Sequence, residues 1–271
     1  MGDIARVKED FEYIKSLDLE KYFYESGLSE VIGVNKYVRP SNIGPNDTYN
    51  QEGSDIFAPD CADLCRLHAI IRHRKVLTVL EFGSGVSTKV IAHALRLNQQ
   101  LYKNKISLIR RQHPFKVYSV EAEKEYADIT LKNSGNLSDF IEMSVSDARQ
   151  TSFQGRICGQ YEKIPTICPD LIYIDGPSPY SYKKNFENIY ISMAHPDITN
   201  ITCDLLLMEQ FLLPGTFVIF DGMTNNSRFN RSHLYRNWLS IEDIEMDYTM
   251  LALDESSIGI HHRNQIKFIN E

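Results

Sequence analysis

Five carboxylates stand at the ends of five apolar runs in the sequence: Glu81, Glu121, Asp147, Asp175 and Asp221. The runs are residues 76–80, 117–120, 140–145, 171–174 and 216–220, and each acid follows its run within two residues. A carboxylate can accept hydrogen bonds from a pair of hydroxyls. It can also take a proton from a reacting group, share a divalent cation with a neighbour, or offset the charge of a cationic ligand. One acid in such a place is an ordinary cap or turn residue. Five in chain order point to a shared ligand-binding edge, with Asp175 and Asp221 the candidates for acid–base or metal chemistry. The first run leads into Glu81-Phe82-Gly83-Ser84-Gly85-Val86-Ser87-Thr88. Gly83 and Gly85 permit a tight turn and close approach of a ligand to the main chain. Thr88 stands where the dinucleotide fingerprint would have its third glycine, so that phosphate-binding pattern is incomplete.

For these acids to share an edge, the five runs must be strands of one parallel sheet. Ligands of such sheets bind beyond the carboxyl ends of the strands. The sequence supplies the alternation: helical segments at 89–101 and 124–133 separate runs that are continuously apolar, as strands covered on both faces are. Two further strand candidates, 248–253 and 265–269, are expected to pair antiparallel, because the gap between them is too short for a crossover helix. Ahead of the sheet, a helix is expected near Asp60, carrying Leu64, Leu67, Ile70 and Ile71. Residues 1–30 read as helical, with Ile4, Val7, Phe11, Ile14, Leu17 and Leu19 at roughly helical spacing. Residues 33–59 are rich in Gly and Pro and read as a long loop or lid. The expected division is a helical cap and lid loop over 1–59 and a core domain over 60–271.

Composition narrows the function classes. The 271 residues hold 36 acids against 29 Lys and Arg, a net charge of −7. That balance argues against a general nucleic-acid binder, which needs a basic face. No apolar run reaches the length of a membrane span. The start, Met1-Gly2-Asp3-Ile4-Ala5-Arg6, leads into no apolar signal core, and Arg6 does not suit a myristoylation signal. The five cysteines form no C-x-x-C pair, which suits a reduced, cytoplasmic protein.

The segment Glu81–Thr88 resembles the first motif of class I S-adenosylmethionine-dependent methyltransferases, in particular the small-molecule and sugar O-methyltransferase branch. The resemblance covers about residues 60–270 and lies in the ordered set of motifs. Pro169-Asp170-Leu171-Ile172-Tyr173-Ile174-Asp175-Gly176-Pro177 and Leu212-Leu213-Pro214-Gly215 with Phe220-Asp221-Gly222 look like the later ones. It implies a Rossmann-like three-layer α/β sandwich with a seven-stranded, mostly parallel sheet whose last strand is antiparallel, preceded by the N-terminal helical cap. It implies S-adenosylmethionine as cofactor. Glu81, Gly83, Ser84, Gly85, Ser87 and Thr88 would lie at its amino-acid part, Glu121 at the ribose, and Asp147 with Ala148 near the adenine, with Asp175 adjoining. The physics agrees: this cofactor has no phosphate and carries a cationic sulfonium, which suits an acidic rim.

The sequence departs from the pattern in two places. The interval from Gly85 to Glu121 exceeds the roughly 20 residues of nucleotide-binding folds. Asp175-Gly-Pro-Ser-Pro-Tyr180 lacks the spacing of the nucleic-acid amino-methylating branch. Asp175 or Asp221 could serve as base, or the two could hold a divalent cation. Gly222, standing where metal-dependent relatives have Asn, disfavours the cation. Tyr180, Arg228 and Arg231 are the substrate-binding candidates, the arginines suggesting an anionic acceptor such as a sugar phosphate or sugar nucleotide. His195 and His233 are further possible bases. His261-His262 is placed in a surface turn, and Tyr22, Tyr24, Tyr37 and Tyr49 are read mainly as packing residues. The expectation is O-methylation of a small polar acceptor, for instance in polysaccharide biosynthesis. Competing readings are a catalytically silent cofactor-binding or scaffold protein, an aminopropyl transferase and a nicotinamide-dependent oxidoreductase.

Overall fold

The computed structural model describes residues 6–39, 59–109, 112–184, 192–193 and 198–271. The expected lid therefore lies, from 40 to 58, outside the described residues, as do Tyr49 and His195. Among the described residues no helix is long and apolar enough to cross a membrane. The N-terminal region forms three short helices, α1 (Val7–Lys15), α2 (Leu19–Glu25) and α3 (Leu28–Ile32). Gly27 and Gly33, both at positive φ, separate and end the last of them. The helix expected near Asp60 is α4 (Cys61–His73), whose first amides are capped by the Asp60 carboxylate.

The main sheet has seven strands. Chain order gives β1 (Thr78–Phe82), β2 (Lys116–Glu121) and β3 (Ile141–Val145). A hairpin follows, β4 (Ala148–Phe153) and β5 (Arg156–Tyr161), and then β6 (Leu171–Ile174), the short β7 (Tyr182–Lys184) and β8 (Phe217–Asp221). The last two are β9 (Trp238–Asp243) and β10 (Tyr248–Leu253). Helices α5 (Val86–Tyr102) and α6 (Lys124–Ser134) follow β1 and β2; α7 (Asp204–Met208), α8 (Thr224–Arg231) and α9 (Gly259–Asn270) come later. The spatial order is β3-β2-β1-β6-β8-β10-β9. The first five strands are parallel, β10 runs antiparallel to β8, and β9 pairs antiparallel with β10. This is the Rossmann-like, seven-stranded, mostly parallel sheet expected from the sequence. The strand order reverses between β1 and β6, so the ligand crevice of an open α/β sheet belongs there.

The two faces differ. Val79, Val117, Leu171, Tyr173, Phe217 and Ile219 pack with α1, α4, α5 and α9. Leu80, Phe82, Val120, Ile172, Ile174, Val218 and Phe220 pack on the other side with Tyr161, Leu205 and Leu212. There the crossover from β3 to β6 carries the β4–β5 hairpin, which joins β7 in a second, three-stranded sheet. Gln154 and Gly155, at φ 49° and 78°, make its two-residue turn of the type that matches strand twist.

One expectation is corrected. Residues 265–269 are not a strand; they belong to α9, and the strand that pairs with β10 is β9, which precedes it. Consequently His261-His262 lies in a helix, and His262 is buried, its Nε2 2.8 Å from the Pro214 carbonyl oxygen. Gln265 of the same helix donates to Asp170, 2.6 Å away, whose other carboxylate oxygen accepts the amides of Leu77 and Thr78 at 3.0 Å each. A buried carboxylate thus ties the start of β1 to the C-terminal helix.

Candidate active site

Side chains alternate along a strand, so residues two apart share a face. Val79 and Glu81, Val117, Ser119 and Glu121, Leu171, Tyr173 and Asp175, and Phe217, Ile219 and Asp221 each form such a set. The apolar members of all four sets, together with Tyr173, pack on the α4–α5 side. Four of the five acids therefore face the same way at the carboxyl edge, and Glu81, Glu121 and Asp221 all act electrostatically on Asp175. Asp147 is not among the acids that bear on it.

Glu81 is fully buried and accepts hydrogen bonds from Ser87 (2.6 Å), Thr88 (2.7 Å) and Ser119 (2.8 Å). Burial pushes its carboxyl up to about 7 against the pull of those hydroxyls. It stands behind the glycine turn and shapes it, because Thr88 Oγ1 also accepts the Gly85 amide at 3.0 Å. Ser87 and Thr88, both buried, belong to the same support. Glu121 lies nearer the opening: one oxygen accepts from the Ser84 hydroxyl at 2.8 Å and the other from the Glu123 amide at 2.9 Å.

The turn presses against the loop after β6. A Cβ on Gly176 would fall 2.8 Å from the Gly83 Cα, and one on Gly83, at φ +100°, 3.3 Å from the Asp175 carbonyl carbon. Only glycine permits that approach, and it brings Asp175 up to the β1 turn. By contrast, a Cβ on Gly85 would meet nothing within 4 Å, so its main chain borders open space.

Asp175 is exposed to water, yet its carboxyl is raised well above the usual range by dense surrounding protein, then by Asp221, Glu81 and Glu121. Asp175 thus meets water while surrounded by protein, at the strand-order reversal where an open α/β sheet binds its ligands. The Tyr173 hydroxyl donates to Asp221 at 2.8 Å. Burial pushes Asp221 up to about 6, with Tyr173 and Arg66 opposing and Asp60 and Asp247 reinforcing the rise. A carboxyl raised by burial and by a neighbouring acid, as Asp175 is beside Asp221, is the pattern of acid–base sites.

Three neighbours escape a reading based on strand-end acids. Tyr173 shows its role only through its parity with Asp175. Arg66 of α4 is buried, paired with Asp63 and 5.7 Å from the Tyr248 ring. Tyr161, at the end of β5, stacks on Phe82, and its buried hydroxyl has no partner among the described residues. Glu121, Asp204 and Asp175 all bear on that hydroxyl.

Other candidates lie elsewhere. Ala148 is buried at the start of β4 in the second-face core. Tyr180 is exposed in the turn before β7. Arg228 and Arg231, on α8, both bind Glu242 of β9 and line a groove of about 540 Å³ with Trp238 and Leu251. Trp238 and Leu251 belong to the second-face core, so this groove is across the sheet from the acids. His233 is buried there too, its ring nitrogens close to Arg156 (2.5 Å) and the Phe229 carbonyl (2.7 Å). Among the described residues, no three His, Cys, Asp or Glu converge as a metal site.

No protein-family model matches the chain, and no curated protein matches it. Solved structures do resemble it. An O-methyltransferase from Bacillus cereus in complex with SAH aligns at 16% identity and TM-score 0.44, over 89% of this chain and 99% of that one. TomG from Streptomyces achromogenes, an O-methyltransferase in complex with SAM, aligns at 13% identity and TM-score 0.42, over 92% and 96%. The SAH-bound Podospora anserina methyltransferase PaMTH1 aligns at 10% and 0.43, over 73% and 80%. The strand order β3-β2-β1-β6-β8-β10-β9 by itself defines the Rossmann-like sheet.

Proposed function

We propose that the chain is an S-adenosylmethionine-dependent O-methyltransferase acting on a small polar acceptor. The observation that carries this reading is the convergence of Glu121, Asp175 and Asp221 on one face of the strand-order reversal, beside a glycine turn that borders open space. The residues fit the cofactor. Glu121 can accept a ribose diol, the acids favour a cationic sulfonium, and the glycine turn has Thr88 in place of the third glycine of a phosphate-binding loop. Gly83, Ser84 and Gly85 would lie along the amino-acid part, with Glu81, Ser87 and Thr88 holding the turn from behind. Asp147 and Ala148 would flank the adenine side.

When bound, the cofactor supplies an electrophilic methyl group. Asp221, ionised above about pH 6 and oriented by Tyr173, takes the acceptor's proton. Asp175, whose proton affinity is raised by burial and then by Asp221, Glu81 and Glu121, stands beside it to orient the acceptor hydroxyl. The acidic crevice favours neutral or cationic hydroxyl compounds such as a sugar over anionic ones, since Arg228 and Arg231 are committed to Glu242 across the sheet. A divalent cation on Asp175 and Asp221 is the alternative way to acidify the acceptor, and no third ligand joins them among the described residues.

Calorimetry with S-adenosylmethionine and S-adenosylhomocysteine tests the reading. Binding of both, abolished in Glu121→Ala, is expected; binding of neither would overturn it. Methyl transfer across a panel of neutral polyols and their phosphates then bounds the acceptor.

A further inference from the structure

Away from the acid crevice, three titratable side chains form a hydrogen-bonded chain through three helices. The Tyr22 hydroxyl of α2 lies 2.7 Å from His68 Nδ1 of α4, and His68 Nε2 lies 3.1 Å from His93 Nδ1 of α5. The two imidazoles are stacked with centroids 5.2 Å apart and are 1% and 5% exposed. Around them, Phe23, Leu28 and Ile32 of α2 and α3 pack on Cys61, Leu64 and Cys65 of α4 and Val90 of α5. The chain thus sits where the N-terminal helices dock.

An imidazole–imidazole hydrogen bond needs one unprotonated nitrogen as acceptor. Protonating both rings removes that acceptor and sets two cations in contact, out of water. The surroundings offer no relief. Arg72 bears on both rings and Arg96 on His93, and no acid among the described residues bears on either. Lys89 lies one turn before His93 on α5. Tyr13, Arg72 and Cys65 are the titratable groups that bear on Tyr22. Glu20, Glu25 and Glu30 of α2 and α3 are all exposed, and Asp63 of α4 is paired with Arg66.

We propose that the Tyr22–His68–His93 chain is a proton-sensitive latch that holds α2 and α3 on the α4–α5 pair while both imidazoles are neutral and releases them on acidification. Burial, with the adjacent cations, holds His68 well below its ordinary value and pushes His93 down to about 4. The released state exposes both rings and binds more protons, so docking is complete above about pH 6.5 and weakens as pH falls below it. Two rings give a limiting slope of roughly a hundredfold per pH unit. Release uncovers the N-terminal halves of α4 and α5, which carry Arg66, Ser87 and Thr88, together with Asp60, the cap of α4. The latch does not depend on what binds at the acids.

Hydrogen exchange read by mass spectrometry on the full chain tests it, after correction for the intrinsic pH dependence of exchange. Between pH 8 and pH 5.5, amides of residues 19–32 are expected to lose about a hundredfold protection, while those of β10 keep theirs. His68→Gln with His93→Gln should flatten that dependence, whereas Tyr22→Phe should weaken docking at every pH and keep the slope. Equal loss in β10, no loss in 19–32, or the same slope in the double variant would each overturn the proposal. Should the double variant fail to fold, His93→Gln alone is expected to halve the slope on a logarithmic scale; an unchanged slope refutes the latch.

Discussion

The two faces of the central sheet are built from the same strands and meet opposite demands. On the α4–α5 face each of four strands ends with an acid, and burial together with neighbouring carboxylates lifts the proton affinities of Glu81, Asp175 and Asp221. On the other face, the same strands present Leu80, Phe82, Ile174 and Phe220 to a second sheet, and the charges of α8 and β9 cancel as ion pairs. A one-residue step along a strand separates the two environments. Acids crowded onto one edge signal a site, whereas charges that neutralise one another, such as Arg228 and Arg231 on Glu242, signal structure.

The sharpest break of this contrast is Asp221→Asn, which should lower the methyl-transfer rate by roughly 10²–10⁴ while leaving cofactor affinity within a factor of two. Loss of affinity with an intact rate would reverse the roles. Next, Glu121→Ala should weaken cofactor binding by about a hundredfold, as expected for losing charge-assisted hydrogen bonds; calorimetry reads it. Gly176→Ala forces two backbones apart and should lower stability by about 2 kcal/mol in denaturant unfolding, with a larger loss in cofactor binding than in core protection. The pH profile comes next. With Asp221 as base, the rate should rise with pH through about 6 and then level off, and Asp221→Asn should remove that limb. The smallest effect belongs to the other face: Arg228→Ala, which removes an exposed ion pair, should leave both stability and acceptor KM essentially unchanged. A rise in KM would move the acceptor toward the groove.

What could be read from the sequence follows the same division. The parallel strands were legible because burial on both faces makes them continuously apolar, and the acids marked their ends. The C-terminal helix was misread because its buried face is partly polar: His262 and Gln265 serve the Pro214 carbonyl and Asp170, which hides the helical period behind the alternation of Ile266 and Phe268. β9 was missed because an edge strand is half exposed, and its Ser240, Glu242 and Asp243 dilute the signal. The β4–β5 hairpin is mostly polar; Gln154-Gly155 was its one visible mark. Arg66 and Tyr161 were invisible as site residues, since only the fold brings α4 and β5 to the acid edge.

The position of β10 has a consequence for how the molecule assembles. This strand comes last in the chain but lies between β8 and β9, so β9 has no neighbour in the sheet until the chain has passed residue 247. The hairpin of β9 and β10 can form locally and then dock on β8 as one piece, the faster route because it closes the short loop first. The Asp221 strand therefore stays an open edge until that docking, and a chain stopped before Tyr248 would lose two strands of its sheet, not one.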